Sequence, residues 1–379
     1  MAKSRFWFQA HWLVGITAGV VLAVMGFTGA MMSFQDQILD ALNGDARQVE
    51  VKGERLAMPV LLTQAQAEAD RIGGRVRLVS VPPQGDGAIR VLFLAGDDEV
   101  IRYLNPYTGD WHSGGATGEH FFELLEEIHR GFITDRLAGD SVGRRIFDAS
   151  AILLVGLVLT GLYLRWPRRF TNWRNWFVIE TRLRGRGFLY SMHAVIGTYV
   201  LPLLLVSALT GLYFAYEWYG DMLEKLTGVQ PVVEAELKSK ELVAPDVTQV
   251  WNSVETVTAG HALGKIVIRL PKAGDEPLRV QYVDVGAPLT DVNTIKIDPS
   301  DSQVLSHQRY EDKQAGGKLL SSMLAIHKGS YFGLVGTVLL MLSSLALPLF
   351  VITGWMMYLD RRRVEERARK RQAASAAAA

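Results

Sequence analysis

Four of the eight histidines in this 379-residue chain fall into matched pairs. Residues 6–34 (FWFQAHWLVGITAGVVLAVMGFTGAMMSF) overlay residues 188–216 (FLYSMHAVIGTYVLPLLLVSALTGLYFAY) after a shift of 182. The shift lays His11 on His193, Gly15 on Gly197, Thr28 on Thr210 and Gly29 on Gly211 without a gap. A second match, IHRG at 128–131 and IHKG at 326–329, lays His129 on His327. An imidazole in an apolar helix either bonds between helices or serves a function. A single one is readily explained by the first role. Two at matching depths near one end of the spans, and two near the other, favour ligation, because a near-twofold axis sets each pair face to face. Gly15 and Gly197 follow their histidines by four residues on the same helix face and are expected to clear room for a large flat group.

The donor set narrows the group. No carboxylate accompanies His11 or His193 within the apolar runs, which argues against a di-iron carboxylate or catalytic zinc site. Two imidazoles and an apolar pocket suit b-type haem. Two haems b are expected, one on His11 and His193, the other on His129 and His327. His11 cannot share a metal with His129, because most of a roughly 30 Å core separates them. Haems at two levels would divide that distance into hops and carry electrons across a bilayer.

Other candidates are weighed as follows. His112, His120, His261 and His307 have no repeat partner and read as surface or loop residues. Thr-Gly recurs at 28–29, 160–161, 210–211 and 353–354. Small residues let helices approach, so packing is the expectation for these pairs. Arg144, Arg145, Arg165 and Lys328 are placed to meet haem propionates, although snorkelling arginines are usual at span ends. The methionines in the spans read as packing.

The elements that must position these residues are membrane helices. Hydrophobic content is 49% and charged content 21%, high and low for a soluble protein. Four stretches reach the roughly 20 apolar residues that a span needs. The chain divides into 1–34 with the first span, 35–145, a span at 146–166, a basic loop 167–187, a span at 188–216, 217–329, a span at 330–359 and a basic tail 360–379. No span is visibly interrupted at its middle, which disfavours a transporter. The first span is too long for a signal-peptide core and is expected to be an uncleaved anchor. With no cysteine, disulfides, iron–sulfur clusters and covalent CxxCH haem are excluded. No nucleotide fingerprint follows a strand and opens a helix.

Segments 35–145 and 217–329 each read as a small α+β unit. Helical patterns at Ala57–Ile72 and Val247–Ala262 precede alternating strands at Arg75–Val81, Ala88–Leu94 and Val100–Leu104, and at Lys265–Leu270, Leu278–Val283 and Thr294–Ile297. Turn clusters follow at Asn105-Pro106 and Asp298-Pro299. Amphipathic Glu119–Ile133 and the segment Leu319–Ile326 then carry His129 and lead to His327. From that histidine to the next Thr-Gly is 31 residues in the first half and 26 in the second, so a short insertion is expected around Thr134–Asp140. The fold class is an α-helical membrane protein. Its four transmembrane helices form an internal duplication of two-span halves, each with a small periplasmic α+β unit. The tail beyond Arg371, QAASAAAA, is expected to be disordered.

Net charge is +1, but its distribution is uneven. Loop 165–187 holds seven Arg, and the tail from Asp360 six Arg and Lys370; the two long segments carry 18 acids against 12 bases and 16 against 12. Positive residues stay inside, so both termini are expected in the cytoplasm of a cell inner membrane and both long segments in the periplasm. Lipid is the expected surrounding partner; nucleic acid is not a partner.

The duplicated histidine helices, the Ile-His-Arg/Lys-Gly element and the Asn/Asp-Pro turns closing small α+β units resemble the PepSY-associated transmembrane family. Within it the chain is similar to inner-membrane ferric-siderophore reductases of the FoxB type, over residues 5–365. The resemblance implies a haem-containing oxidoreductase with His11, His193, His129 and His327 as axial ligands. It would draw electrons from a cytoplasmic or quinol donor, reduce a periplasmic ferric siderophore and release Fe(II). A cleft lined by Tyr103, Tyr107, Trp111, Tyr282, Tyr310 and Tyr331 would take the chelate, with an acidic surface suited to a cationic or neutral one. The alternative is a non-enzymatic module that binds a peptide or partner protein, with the histidines as helix glue.

Overall fold

The computed structural model describes residues 2–96, 98–112, 117–139, 141–166, 173–229, 235–239 and 241–377. Arg168 and Arg169 of the basic loop, Gly114-Gly115 and Asp140 lie outside these residues. In chain order the first elements are α1 (Ala2–Thr17), α2 (Gly19–Met32), α3 (Gln35–Leu42), α4 (Gly44–Arg47) and α5 (Met58–Arg71). Strands β1 (Arg75–Val81), β2 (Ile89–Ala95) and β3 (Asp98–Leu104) follow. Next come α6 (Glu119–Arg130), α7 (Phe132–Ala138), α8 (Val142–Arg165), α9 (Trp173–Phe177), α10 (Arg186–Ala215), α11 (Glu217–Thr227) and α12 (Val247–Thr258). The rest is β4 (Leu263–Arg269), β5 (Leu278–Asp284), β6 (Asn293–Ile297), β7 (Val304–Gln308), α13 (Ala315–Ser321), α14 (Met323–Lys328) and α15 (Gly333–Ala377).

These form two compact units, one of residues 1–35, 121–221 and 323–379, the other of 36–120 and 222–322. In the first unit, three helices are long and apolar enough to cross a membrane: 142–165, 186–215 and 330–376. A fourth span exists if the bent pair Arg5–Thr17 and Gly19–Met32 counts as one. Helices suit this setting because hydrocarbon offers no partner to an exposed peptide group. In the helix bundle, α15 packs on α2 and α10, α8 packs on α10, and α1 on α8.

The first span departs from the sequence expectation. It bends by 60° at Ala18. Glycines 15 and 19 flank the bend, and the Thr17 hydroxyl donates to the Leu13 carbonyl at 2.9 Å, competing with the helix ladder. Backbone bonds from Ala18 to Val14 and from Leu22 to Ala18 still bracket the break. By the same 182-residue shift, Val20 matches Pro202, which sits inside the uninterrupted α10. A second difference lies at the C-terminus. The expected disordered tail is helical, because α15 continues without interruption to Ala377. Its exposed part carries Arg361–Glu365 and Arg362–Glu366 pairs at the i,i+4 spacing that supports a helix. The expected insertion corresponds to α7 in the first half, where the second half has only a short 3-10 turn, Ser330–Phe332.

In the second unit the two expected α+β units share one antiparallel sheet of order β3-β2-β1-β4-β5-β6-β7. The junction is β1 with β4, running from Leu78 opposite Arg269 to Val81 opposite Ile266. Alternation in each strand sends one set of apolar side chains under α5 and α12. There Val79, Val91, Phe93, Ile268, Val280, Ile295 and Ile297 are fully buried with Ala65, Ala69 and Val254. The other face of the first three strands is covered separately, by Ala46 and Val49 against Ile101, Tyr103 and Leu92. Sequence reasoning missed β7, a short strand beyond the Asp298 turn. The turns themselves match. Asn105 accepts from the backbone N–H of Tyr107 at 2.9 Å, and Asp298 from that of Ser300 at 2.8 Å, two Asx turns closing β3 and β6.

Several proposed cleft aromatics are core residues instead. Tyr103 is 1% exposed and donates its hydroxyl to buried Glu119, which also pairs with Arg90 at 3.2 Å. Tyr282 is buried with its hydroxyl on His307, and burial pushes its pKa up to about 12. Trp111 packs on Phe93 at 5.8 Å between ring centres.

Two outcomes test this packing. Ile295→Ala removes a fully buried side chain and should cost about 2–5 kcal/mol, read as a lower thermal unfolding midpoint. A Cβ on Gly26 would stand 2.5 Å from the Ser344 carbonyl oxygen, so Gly26→Leu should force α2 from α15 and lower yield in membranes, whereas Gly156→Leu, which meets nothing, should be tolerated.

Candidate metal centre

The four repeat-paired histidines all lie in the helical unit, and each makes the same contact. His11 on α1 meets Thr160 on α8, and His193 on α10 meets Thr353 on α15, with Nδ1 to Oγ1 distances of 2.8 Å in both cases. His129 on α6 meets Thr28 on α2 at 3.1 Å, and His327 on α14 meets Thr210 on α10 at 2.9 Å. The four threonines are those of the four Thr-Gly pairs. The expectation that these pairs serve only helix packing is therefore corrected: the threonine holds an imidazole. The glycine beside it makes space in two cases, Gly29 and Gly161, and is in ordinary contact at Gly211. A Cβ would stand 3.0 Å from His129 on Gly29, 3.3 Å from His11 on Gly161 and 3.6 Å from His327 on Gly211.

The hydrogen bonds assign the tautomer. Each threonine hydroxyl has one hydrogen, and each lies 2.7–2.8 Å from the carbonyl four residues earlier: Val24, Gly156, Val206 and Leu349. With that hydrogen donated along the helix, Oγ1 is left to accept. Nδ1 must then carry the proton. At two sites a carbonyl, which only accepts, makes the same demand: Nδ1–H of His129 also donates to Met25 at 2.9 Å and that of His327 to Ser207 at 3.1 Å. Nε2 therefore keeps its lone pair on all four rings. Such an N–H donated to an outer partner is what metal-ligating histidines usually show.

The rings of His129 and His327 are 6.4 Å apart between centres, with planes at 64°. Two imidazoles sharing one metal through Nε2, each bond about 2 Å long, hold their ring centres roughly 6 Å apart. Burial lowers the pKa of both residues, His327 to about 4 with the neighbouring His129 as a further cause, so the charged imidazolium is disfavoured on both rings. Phe350 lies against His193 at 4.8 Å between ring centres. At the glycines expected to clear space, a Cβ on Gly197 would stand 3.9 Å from Phe350 and one on Gly15 3.9 Å from Leu157, ordinary contact in both cases.

Among the described residues, no group of three or more His, Cys, Asp or Glu is placed to hold a metal. Each level thus offers two nitrogens, and any metal there needs its other ligands from elsewhere. A planar macrocycle with four in-plane nitrogens is such a source, so the donor set fits haem. Arg165, five residues past Thr160, lies over the Trp176 ring at 5.9 Å and keeps a buried Nε with no hydrogen-bond partner among the described residues, which a carboxylate at the His11 level could supply. The other proposed cations are engaged or differently placed: Arg145 donates to Ser141 at 2.8 Å, and Arg144 lies over the Phe132 ring at 5.0 Å. Of the unpaired histidines, His112 and His307 serve hydrogen bonds of the sheet unit, to the Asp45 carbonyl and Tyr282.

His193 is the most dependent ring. His129 and His327 have carbonyl acceptors besides threonine, and His11 has the Leu157 carbonyl nearby, whereas His193 has Thr353 alone among the described residues. Thr353→Val should therefore weaken metal or cofactor retention most, by about 10–100-fold as for other outer-shell losses. Thr28→Val should have the milder effect, and Thr353→Ser should restore binding. Cofactor content per purified chain checks all three.

Comparison with known proteins adds the family. Residues 8–361 match the family described as the PepSY-associated TM region. No curated protein matches the chain. The match covers nearly the whole sequence, and with candidate membrane-spanning helices present it makes this a multi-pass membrane protein that belongs to the PepSY-associated transmembrane family.

Proposed function

We propose that the chain is a di-haem b reductase of the inner membrane that passes electrons across the bilayer to Fe(III) held by a siderophore and releases Fe(II). In this reading the chain is a four-span duplication. Its termini and Arg-rich loop are cytoplasmic, as the charge asymmetry favours. The observation that carries the proposal is the fourfold recurrence of one contact, an imidazole held by Nδ1 with Nε2 left to bind. A histidine acting as helix glue has no need of a paired ring 6.4 Å away.

The residues have separable tasks. His129 with His327, and His11 with His193, present neutral nitrogens at two levels. Bound there, a b-type haem supplies a one-electron Fe(III)/Fe(II) couple. Thr210 lies 17 residues after His193 on the continuous α10, so the levels are about 25 Å apart along the helix. Between them stand Ala18, Leu22, Leu154, Val158, Leu204 and Ala208, an apolar filling that excludes water and protons. Arg165 suits a carboxylate of the group at the His11 level. The electron donor is a cytoplasmic protein or quinol. The accepting iron, once Fe(II), is held weakly by the hard oxygen donors of the chelate and leaves.

The test is a reduced-minus-oxidised visible spectrum of purified protein with a haem-to-chain ratio. Low-spin b-type bands at close to two haems per chain are expected. His193→Ala should lose the haem of the His11 level and keep the other. His327→Ala should leave one reducible haem and stop reduction of a ferric siderophore. A colourless protein from haem-replete cells would overturn the proposal and leave a partner-binding membrane module.

A further inference from the structure

The two histidine pairs differ in what receives their Nδ1–H. At every site the carbonyl three residues before the threonine accepts from that threonine's hydroxyl at 3.1–3.2 Å: Met25, Leu157, Ser207 and Phe350. The same carbonyl is thus offered four times. His129 reaches Met25 at 2.9 Å and His327 reaches Ser207 at 3.1 Å, in addition to their threonines. Met25 and Ser207 are themselves related by the 182-residue shift. At the other level the carbonyl of Leu157 lies near His11, but His193 has no carbonyl acceptor among the described residues; it meets the ring of Phe350 instead.

An acceptor on Nδ1–H makes Nε2 a more basic ligand. A more basic ligand favours Fe(III) over Fe(II), and outer-shell hydrogen bonding is one of the levers that set a haem potential. Both rings of the His129 level carry the second acceptor, so their effects fall on one site. Fixed charge acts in the same direction. The half-buried Arg165 guanidinium at the His11 level favours the less positive Fe(II). Beside His129, the Glu126 carboxylate raises the imidazole pKa more than the Arg130 guanidinium lowers it, and these two are paired at 2.9 Å. Lys328 next to His327 is exposed, where water weakens its field.

We infer that the carbonyls of Met25 and Ser207 make the His129–His327 site the lower in redox potential of the two haem sites, and leave the His11–His193 site the higher. The inference rests on the di-haem reading. Met25 and Ser207 are positioning residues that act through the histidines with their backbone. The better reductant then stands on the side to which the proposed function delivers electrons, and a membrane potential that is negative inside favours that delivery.

The experiment is a spectroscopic redox titration of full-length, haem-supplemented protein in neutral detergent. Two one-electron waves are expected, at least tenfold apart in Fe(III)/Fe(II) ratio at a given applied potential, which is about 59 mV. His193→Ala should keep the lower wave and His327→Ala the higher. Thr353→Val takes the acceptor from His193 and should move the higher wave up, with Thr353→Ser restoring it. Thr28→Val leaves the Met25 carbonyl on His129 and should move the lower wave less. Survival of the higher wave in His193→Ala, or two haems less than tenfold apart, overturns the inference and leaves the di-haem reading standing. Where an alanine variant loses both haems, the threonine variants decide: movement or loss of the lower wave in Thr353→Val overturns the inference. A colourless protein overturns the inference and the reading together.

Discussion

A threonine hydroxyl with its single hydrogen already donated is the constraint on which the helical unit turns. Oγ1 of Thr28, Thr160, Thr210 and Thr353 is bound to a carbonyl of its own helix, so it presents only an acceptor to the neighbouring histidine. That leaves each imidazole one tautomer and one outward nitrogen. Reversing any ring would set a bare nitrogen against a spent hydroxyl and leave an N–H without a partner in an apolar interior. At Thr28 and Thr160 the adjacent glycine completes the device by letting the ring approach the helix that holds it.

The same logic explains why helices from different parts of the chain must pack closely. Each histidine is on one helix and its threonine on another, so every outward Nε2 is aimed by an inter-helix bond. The α2–α15 approach at Gly26 is close enough that a side chain there would meet backbone. The bend at Ala18 falls between His11 and Thr28, the residues through which the first span serves the two levels. Its counterpart α10 spans both of its own levels, His193 and Thr210, as one helix. The two matching segments thus reach similar contacts with different backbones.

In the sheet unit, the halves are joined by hydrogen bonds between β1 and β4 and by a shared core under α5 and α12. What matches across the junction is the buried face, where apolar volume is required. The opposite face is free of that requirement and has diverged, covered and apolar in one half and cationic in the other.

Much was legible in the sequence. The spans follow from apolar length, the strands from alternation, and the four histidines from their repetition at fixed shifts, since all three are local patterns or direct repeats. The Asx turns at Asn105 and Asp298 followed from short-range side-chain chemistry. What the sequence left undecided depends on contacts between distant residues. It could mark Thr-Gly four times, but not that each threonine faces a histidine 101 to 160 residues away. It read two small α+β units where β1 and β4 close one sheet, because strand order depends on which edges meet rather than on any strand's composition. It missed the break at Ala18, where an apolar helix keeps its composition and loses its direction. Tyr103 and Tyr282 were equally open to a surface role until packing placed them inside. Local patterns determined which residues form helices and strands; only tertiary contacts decided which nitrogen of each histidine is free and which strand edges meet to close one sheet.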